Sequence, residues 1–203
     1  LTVMKKIIIA NWKMNPSSPH EAKKLFGAIK KKAALARGSV ETVVAPPFVY
    51  LPLLSPTAKV KLGAQDVFFK DEGAFTGEVS PAMLAHLGVS YVIVGHSERR
   101  EYVGESDEVI HKKILAAALR HLRAIVCVGE KERHREGFPP RVKEEILGAL
   151  KGVPRALASR ILIAYEPLWS IGTNKGANED SPENVFEISI FIRRTVMDIW
   201  GKK

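Results

Sequence analysis

A single cysteine, Cys127, stands in the 203-residue sequence, so no disulfide can form within the chain and its fold must rest on buried apolar surface. A lone thiol at the end of an apolar run agrees with a reducing compartment. Long apolar runs are missing too: unbroken stretches reach four to six residues, against the ~20 that a membrane-spanning helix needs. At the start, LTVMKKIII carries lysines where a secretory signal would need its apolar segment, so a cytoplasmic location is expected. Aromatic residues make up only 7% and do not interleave with a basic stripe; the 31 Lys and Arg are spread over every helix-like segment. The net charge of +9 could suggest a nucleic-acid partner, but this scatter argues against one, and the charge suits the attraction of a small anionic substrate. Low-complexity tracts, charge blocks and Gly/Ser linkers are absent as well, so a single domain over residues 1–203 is expected. At 46% hydrophobic and 26% charged residues, the composition is that of a chain able to bury a core, which argues against disorder.

What is present is a rhythm. Short β-like runs alternate with longer stretches of 3.6-residue period, which predicts βα units around a parallel sheet, an α/β fold. Six units are expected, with strands near 6–11, 42–45, 60–64, 91–95, 123–128 and 161–165. Helices are expected near 20–37, 49–54, 80–87, 107–121, 140–150 and 182–200. Ser18-Pro19, Ser80-Pro81, Ser106-Asp107 and Ser181-Pro182 each place a hydroxyl before proline or an acid, the signature of a helix start. Runs such as IIIA, TVVA, YVIVG, AIVCV and ILIAY are almost continuously apolar, so both faces of every strand are expected to be buried.

Three strand ends carry the chemistry. ILIAY delivers Glu166 into the loop PLWSIGT, YVIVG delivers His96, and the first strand is followed by Asn11 and Lys13. Glutamate, histidine and lysine each read by default as solvated or packed residues. A carboxylate, an imidazole and an ammonium at the C-terminal ends of parallel strands together read as a proton-transfer site. His20, His86, His111, His121 and His134 fall on helices or in charged loops and keep the ordinary reading. Glu98 either orients the site or pairs with Arg99 or Arg100, and Cys127 behind it reads as a small buried hydrophobe. Trp12 and Met14 read as packing or interface residues.

The segments NWKMN (11–15), GAFTGEVSPAML (73–84), VGHSERR (94–100), CVGE (127–130) and AYEPLWSIGTNKGA (164–177) resemble the triosephosphate isomerase family, in order along the chain. The resemblance implies a TIM (β/α)8 barrel and interconversion of dihydroxyacetone phosphate and glyceraldehyde 3-phosphate, a step of glycolysis and gluconeogenesis, with no metal or organic cofactor. It implies that Glu166 moves the proton, that a neutral His96 donates hydrogen bonds to the substrate oxygens, and that Lys13 and Asn11 hold the developing enediolate. The stretch from Pro167, Leu168 and Trp169 through Ile171, Gly172 and Thr173 to Asn174, Lys175, Gly176 and Ala177 would be a lid, with the Gly172 N–H closing on the phosphate. Asn174 departs from the family's more usual glycine, and asparagine tolerates left-handed backbone angles. The long loop 66–79, with Phe68, Phe69 and Phe75, would reach into a second subunit, placing Phe75 and Thr76 in a homodimer interface.

The barrel that bears the family's name has eight units in about 250 residues. Six are legible here, so the expectation is a barrel truncated before strands 7 and 8, whose loops usually frame the phosphate. Met4-Lys5-Lys6 resembles a natural start, and the 203 residues alone are expected to have open strand edges and little activity. The competing expectations are a non-catalytic scaffold or assembly partner that has lost its phosphate site, and another phosphate-binding barrel enzyme.

Overall fold

The alternation of apolar strands and capped helices is realised in a computed structural model, which describes residues 6–36, 40–133, 137–171 and 179–201. Strands β1 (Lys6–Asn11), β2 (Val40–Ala45), β3 (Val60–Ala64), β4 (Val89–Val94), β5 (Arg123–Val128) and β6 (Ile161–Tyr165) form one sheet in chain order. Helices α1 (Pro19–Leu35), α2 (Pro81–His86), α3 (Ser97–Tyr102), α4 (Asp107–Leu119), α5 (Pro140–Leu150) and α6 (Pro182–Trp200) occupy the connections and follow β6. Each serine predicted to cap a helix does so. Ser18, Ser80, Ser106 and Ser181 accept from the backbone N–H groups of Glu21, Met83, Val109 and Asn184.

Differences from the sequence reading have local causes. The helix expected to run to His121 ends at Leu119, and His121, at φ 63°, turns the chain toward β5. The stretch 49–54 is a 3₁₀ turn over Phe48–Leu53, because Pro52 has no N–H to continue an α-helix. Helix α3 was not expected, since SERREY has no apolar periodicity. The expectation that every strand is buried on both faces fails for β1 and β6. These are the end strands of the sheet order, half-exposed along most of their length, with Ile8 57% exposed. A terminal strand has one neighbour, so its side chains meet fewer partners.

The chain divides into two compact units, Leu1–Ile93 with Ala116–Ala124, and Val94–Leu115 with Ile125–Lys203. In the first, β1 pairs parallel with β2 in the register Ile8↔Thr42 to Asn11↔Ala45, and β2 with β3. Helix α1 buries Ala22 and Phe26, while Val43, Val44, Val60, Leu62 and Leu84 are solvent-free. Tyr91 donates to Glu41 and accepts from Arg123 Nη1 at 2.9 Å; burial and then the Glu41 carboxylate push its phenol above the usual range.

In the second unit, α5 and α6 pack together, Val142, Ile146, Ala149, Leu150, Ile188 and Ile192 are buried on them, and Trp200 Nε1 donates to the Val153 carbonyl at 2.8 Å. A buried carboxylate, Glu105, accepts from Arg99 Nε at 2.5 Å and Lys113 Nζ at 2.6 Å. Burial alone would raise its pKa, but the two cations outweigh burial and hold it below the ordinary 4.5. A depressed folded-state pKa means that this pair stabilises the fold above pH 4.5 and that the contribution is lost as pH falls through the folded value. Glu105→Gln, which leaves buried Lys113 without its carboxylate, is expected to cost about 3 kcal/mol at pH 7. Denaturant unfolding at pH 7 and near pH 3.5 checks this: the gap between wild type and variant should shrink at the lower pH, and equal midpoints at pH 7 would contradict it.

Candidate active site

The first unit supplies two of the expected residues. Asn11 closes β1, and Lys13 follows two residues later with φ 52°, a left-handed conformation uncommon for a side-chain-bearing residue. The strain of such a residue, on the order of 1–3 kcal/mol, persists only where neighbours impose it. Here the Lys13 N–H donates to Asn11 Oδ1 at 2.9 Å, and the Lys13 carbonyl accepts from Gln65 Nε2 at 2.8 Å. Gln65 also donates to the Ala45 carbonyl at 2.9 Å, and Trp12, buried between Asn11 and Lys13, donates its N–H to the same carbonyl at 3.0 Å. The ammonium is thus presented from a backbone fastened to the end of β2.

The second unit builds the proton-transfer pair. After β4 the chain turns at Gly95, whose φ of 71° favours glycine, and His96 becomes the N-cap residue of α3. Its Nδ1 accepts from the Glu98 N–H at 3.2 Å. A nitrogen that accepts carries no proton, so in the neutral ring the N–H sits on Nε2. That Nε2 lies 3.4 Å from Glu166 Oε1, with His96 6% exposed. Ser97 Oγ donates to Glu166 Oε2 at 3.3 Å, and the Glu98 carboxylate stands 3.7 Å from His96 Nδ1.

Glu166 extends β6 by one residue, its N–H donating to the Val128 carbonyl at 2.9 Å. Behind it, Glu130 is a hub. Its backbone carbonyl accepts from Leu168 N–H at 2.9 Å, and its Oε1 accepts from both Tyr165 Oη and Trp169 Nε1 at 2.7 Å. Burial, and then the neighbouring Glu130, push the Tyr165 phenol far above its usual range, so it stays a donor. Cys127 is buried, and burial together with the Glu166 charge pushes its thiol up to about 12, which keeps it an unreactive neutral group. A cavity of about 520 Å³ opens beside the carboxylate, lined by Gly95, Ser97, Cys127, Glu130, Glu166 and Leu168.

His96, Glu166, Glu98 and Cys127 are therefore brought to one site. Of the expected lid, Pro167 precedes a 3₁₀ turn over Leu168–Ser170, capped by Ile171. Gly172, Thr173, Asn174, Lys175, Gly176 and Ala177 lie outside the described residues. Phe75 is 42% exposed and Thr76 is exposed, on a loop where the Phe68 ring packs on Phe69 and Phe75 at 4.3 and 4.7 Å. Sequence reasoning assigned no role to Gln65, Ser97 or Glu130. CVGE and VGHSERR contain two of them, but their partners are 35, 39 and 69 residues away in sequence. Among the described residues, no helix is long and apolar enough to cross a membrane, and no group of three His, Cys, Asp or Glu is placed to hold a metal.

A carboxylate within reach of an imidazole N–H, both at the ends of parallel strands, is the equipment for moving a proton beside a carbonyl while a donor steadies the resulting oxyanion. Fold and site together define an isomerase built from βα units. Comparison with family models matches residues 6–202 to Triosephosphate isomerase. The triosephosphate isomerase of Caldanaerobacter subterraneus subsp. tengcongensis is 43% identical over 201 residues, covering 97% of this chain and 79% of that protein. Those of Acetivibrio thermocellus and Citrifermentans bemidjiense are each 44% identical, over 98% of this chain and 79% of theirs. The chain belongs to the triosephosphate isomerase family, and its function is the aldose–ketose isomerisation of triose phosphates in glycolysis.

Proposed function

We propose that the isomerisation runs with Glu166 as the base and His96 as the electrophile. The observation that carries the assignment is the 3.4 Å approach of His96 Nε2 to Glu166 Oε1, with the ring's other nitrogen engaged by the Glu98 N–H. Glu166 takes a proton from the carbon next to the carbonyl, the C–H electron pair becomes the enediolate double bond, and the carbonyl π pair moves onto oxygen. The same carboxylate returns the proton to the neighbouring carbon, and the hydroxyl proton passes from one substrate oxygen to the other by way of His96 Nε2, so aldose and ketose interconvert without net redox change. His96 Nε2–H donates to the substrate oxygens as charge develops, and Lys13 and Asn11 add a positive charge and a further hydrogen bond. The family is an established case of carboxylate and neutral imidazole working together. Residues 167–177 serve as the lid that excludes water, of which this family's loop is likewise a standard example. Pro167, Leu168 and Trp169 form the hinge that Glu130 fastens, and Gly172 supplies a phosphate contact.

The reaction needs no metal or organic cofactor, because Glu166 and His96 together account for both protons that move, one between carbons and one between oxygens, and no electrons leave the substrate. Full-length protein dialysed exhaustively against EDTA should convert dihydroxyacetone phosphate at its original rate in a coupled assay; loss of turnover restored by a divalent cation would overturn the assignment.

The protein works as a single-domain, cytoplasmic homodimer. Exposed Phe75 and Thr76, and Met14 at 92% exposure, supply the apolar surface that a second subunit would cover. Sedimentation equilibrium at micromolar concentration should return twice the chain mass, and a monomer throughout would rule out this surface as a stable interface.

A further inference from the structure

Glu145, on α5, is 4% exposed and joins the backbone behind His96 and Glu166. Its Oε2 accepts from the Gly129 N–H at 2.9 Å, and its Oε1 accepts from Arg141 Nε at 2.9 Å and lies 3.8 Å from Arg100 Nε. Arg100 donates Nε to the Gly95 carbonyl at 3.0 Å and Nη1 to Asp107 Oδ1 at 2.5 Å. Gly95 immediately precedes His96. Gly129 backs Glu166 so closely that a Cβ there would run into the Glu166 carbonyl. The turn that carries the imidazole and the turn that supports the base are thus tied to one buried carboxylate, through Arg100 on one side and through Gly129 on the other.

We propose that Glu145 is a positioning residue for the isomerisation, setting the separation of His96 and Glu166 from beneath. The inference rests on the reading of Glu166 as the base. Proton transfer depends steeply on such a separation, since a misplacement of about 1 Å can cost on the order of 10²-fold in rate. A carboxylate shared by two guanidinium groups and a backbone N–H is rigidly held, and glutamine in its place keeps one acceptor while losing the charge that draws Arg100 and Arg141 inward.

The test is steady-state kinetics and thermal unfolding of full-length Glu145→Gln and Asp107→Asn, with Glu166→Gln alongside. Asp107 is the outer anchor of Arg100, its side chain 32% exposed, so its replacement leaves no buried unpaired acid. Glu145→Gln should lower kcat about 10- to 100-fold with KM within about threefold of wild type. Asp107→Asn should lower kcat about threefold to tenfold by loosening the same arginine, and it decides the matter if Glu145→Gln does not fold. In the double variant the losses should fall short of multiplying, as for residues acting through one network. A reduced melting temperature with wild-type kcat would overturn the positioning role and leave a purely structural one. If Glu166→Gln itself stays active, the reading of the base fails instead, and the two failures are separable.

Discussion

Replacing Glu166 with glutamine is expected to lower kcat by about 10³- to 10⁴-fold, the upper part of the range that a positioned general base supplies. Glutamine nearly matches the shape of glutamate, and its amide oxygen can still accept from Ser97 Oγ, which lies 3.3 Å from the native carboxylate. Backbone and packing should hold as well, because the Glu166 N–H bond to the Val128 carbonyl does not involve the side chain. What is lost is the lone pair basic enough to take a proton from carbon. KM should therefore change by less than about tenfold while kcat collapses, the mark of an interaction made in the transition state. A coupled assay with dihydroxyacetone phosphate reads the outcome, and a variant retaining a tenth of the wild-type kcat would exclude Glu166 as the base.

The second large effect belongs to His96. Asparagine there keeps an acceptor for the Glu98 N–H, since it is among the favoured N-cap residues, so α3 should still start at Ser97. Its shorter side chain cannot place a donor where Nε2 stands, 3.4 Å from the Glu166 carboxylate. His96→Asn is expected to lower kcat by about 10²- to 10³-fold, the usual cost of removing one oxyanion donor, with stability changed by less than about 1 kcal/mol. Combining it with Glu166→Gln should add little further loss, because two groups that act as a unit are not additive. Kinetics together with denaturant unfolding separate the two roles of this histidine; a variant that loses stability but keeps its rate would mean that His96 is a cap and not a donor.

Much of this could be read from the chain because strand ends announce themselves. The apolar runs before Asn11, His96 and Glu166 are bounded by glycine, proline or charge, and four strand ranges match the sequence reading to the residue. Helix starts were legible for a similar local reason, a serine hydroxyl three residues before the N–H it accepts from. What escaped depends on distance in sequence. Glu130 acquires its role from Tyr165 and Trp169, and Gln65 from Lys13, 52 residues before it. Helix α3 escaped because it is held by the His96 cap and by arginine contacts instead of an apolar stripe. The placement of the imidazole proton also needed coordinates, since it follows from the direction of one backbone N–H.

Proton nuclear magnetic resonance of dihydroxyacetone phosphate turning over in deuterium oxide tests the central claim most directly. If Glu166 carries the proton on a carboxylate that exchanges with solvent, full-length protein should place deuterium on the carbon next to the carbonyl, and Glu166→Gln should abolish both labelling and conversion. Conversion that proceeds with hydrogen fully retained, and that survives Glu166→Gln, would contradict a carboxylate base and point to direct hydride transfer between the two carbons.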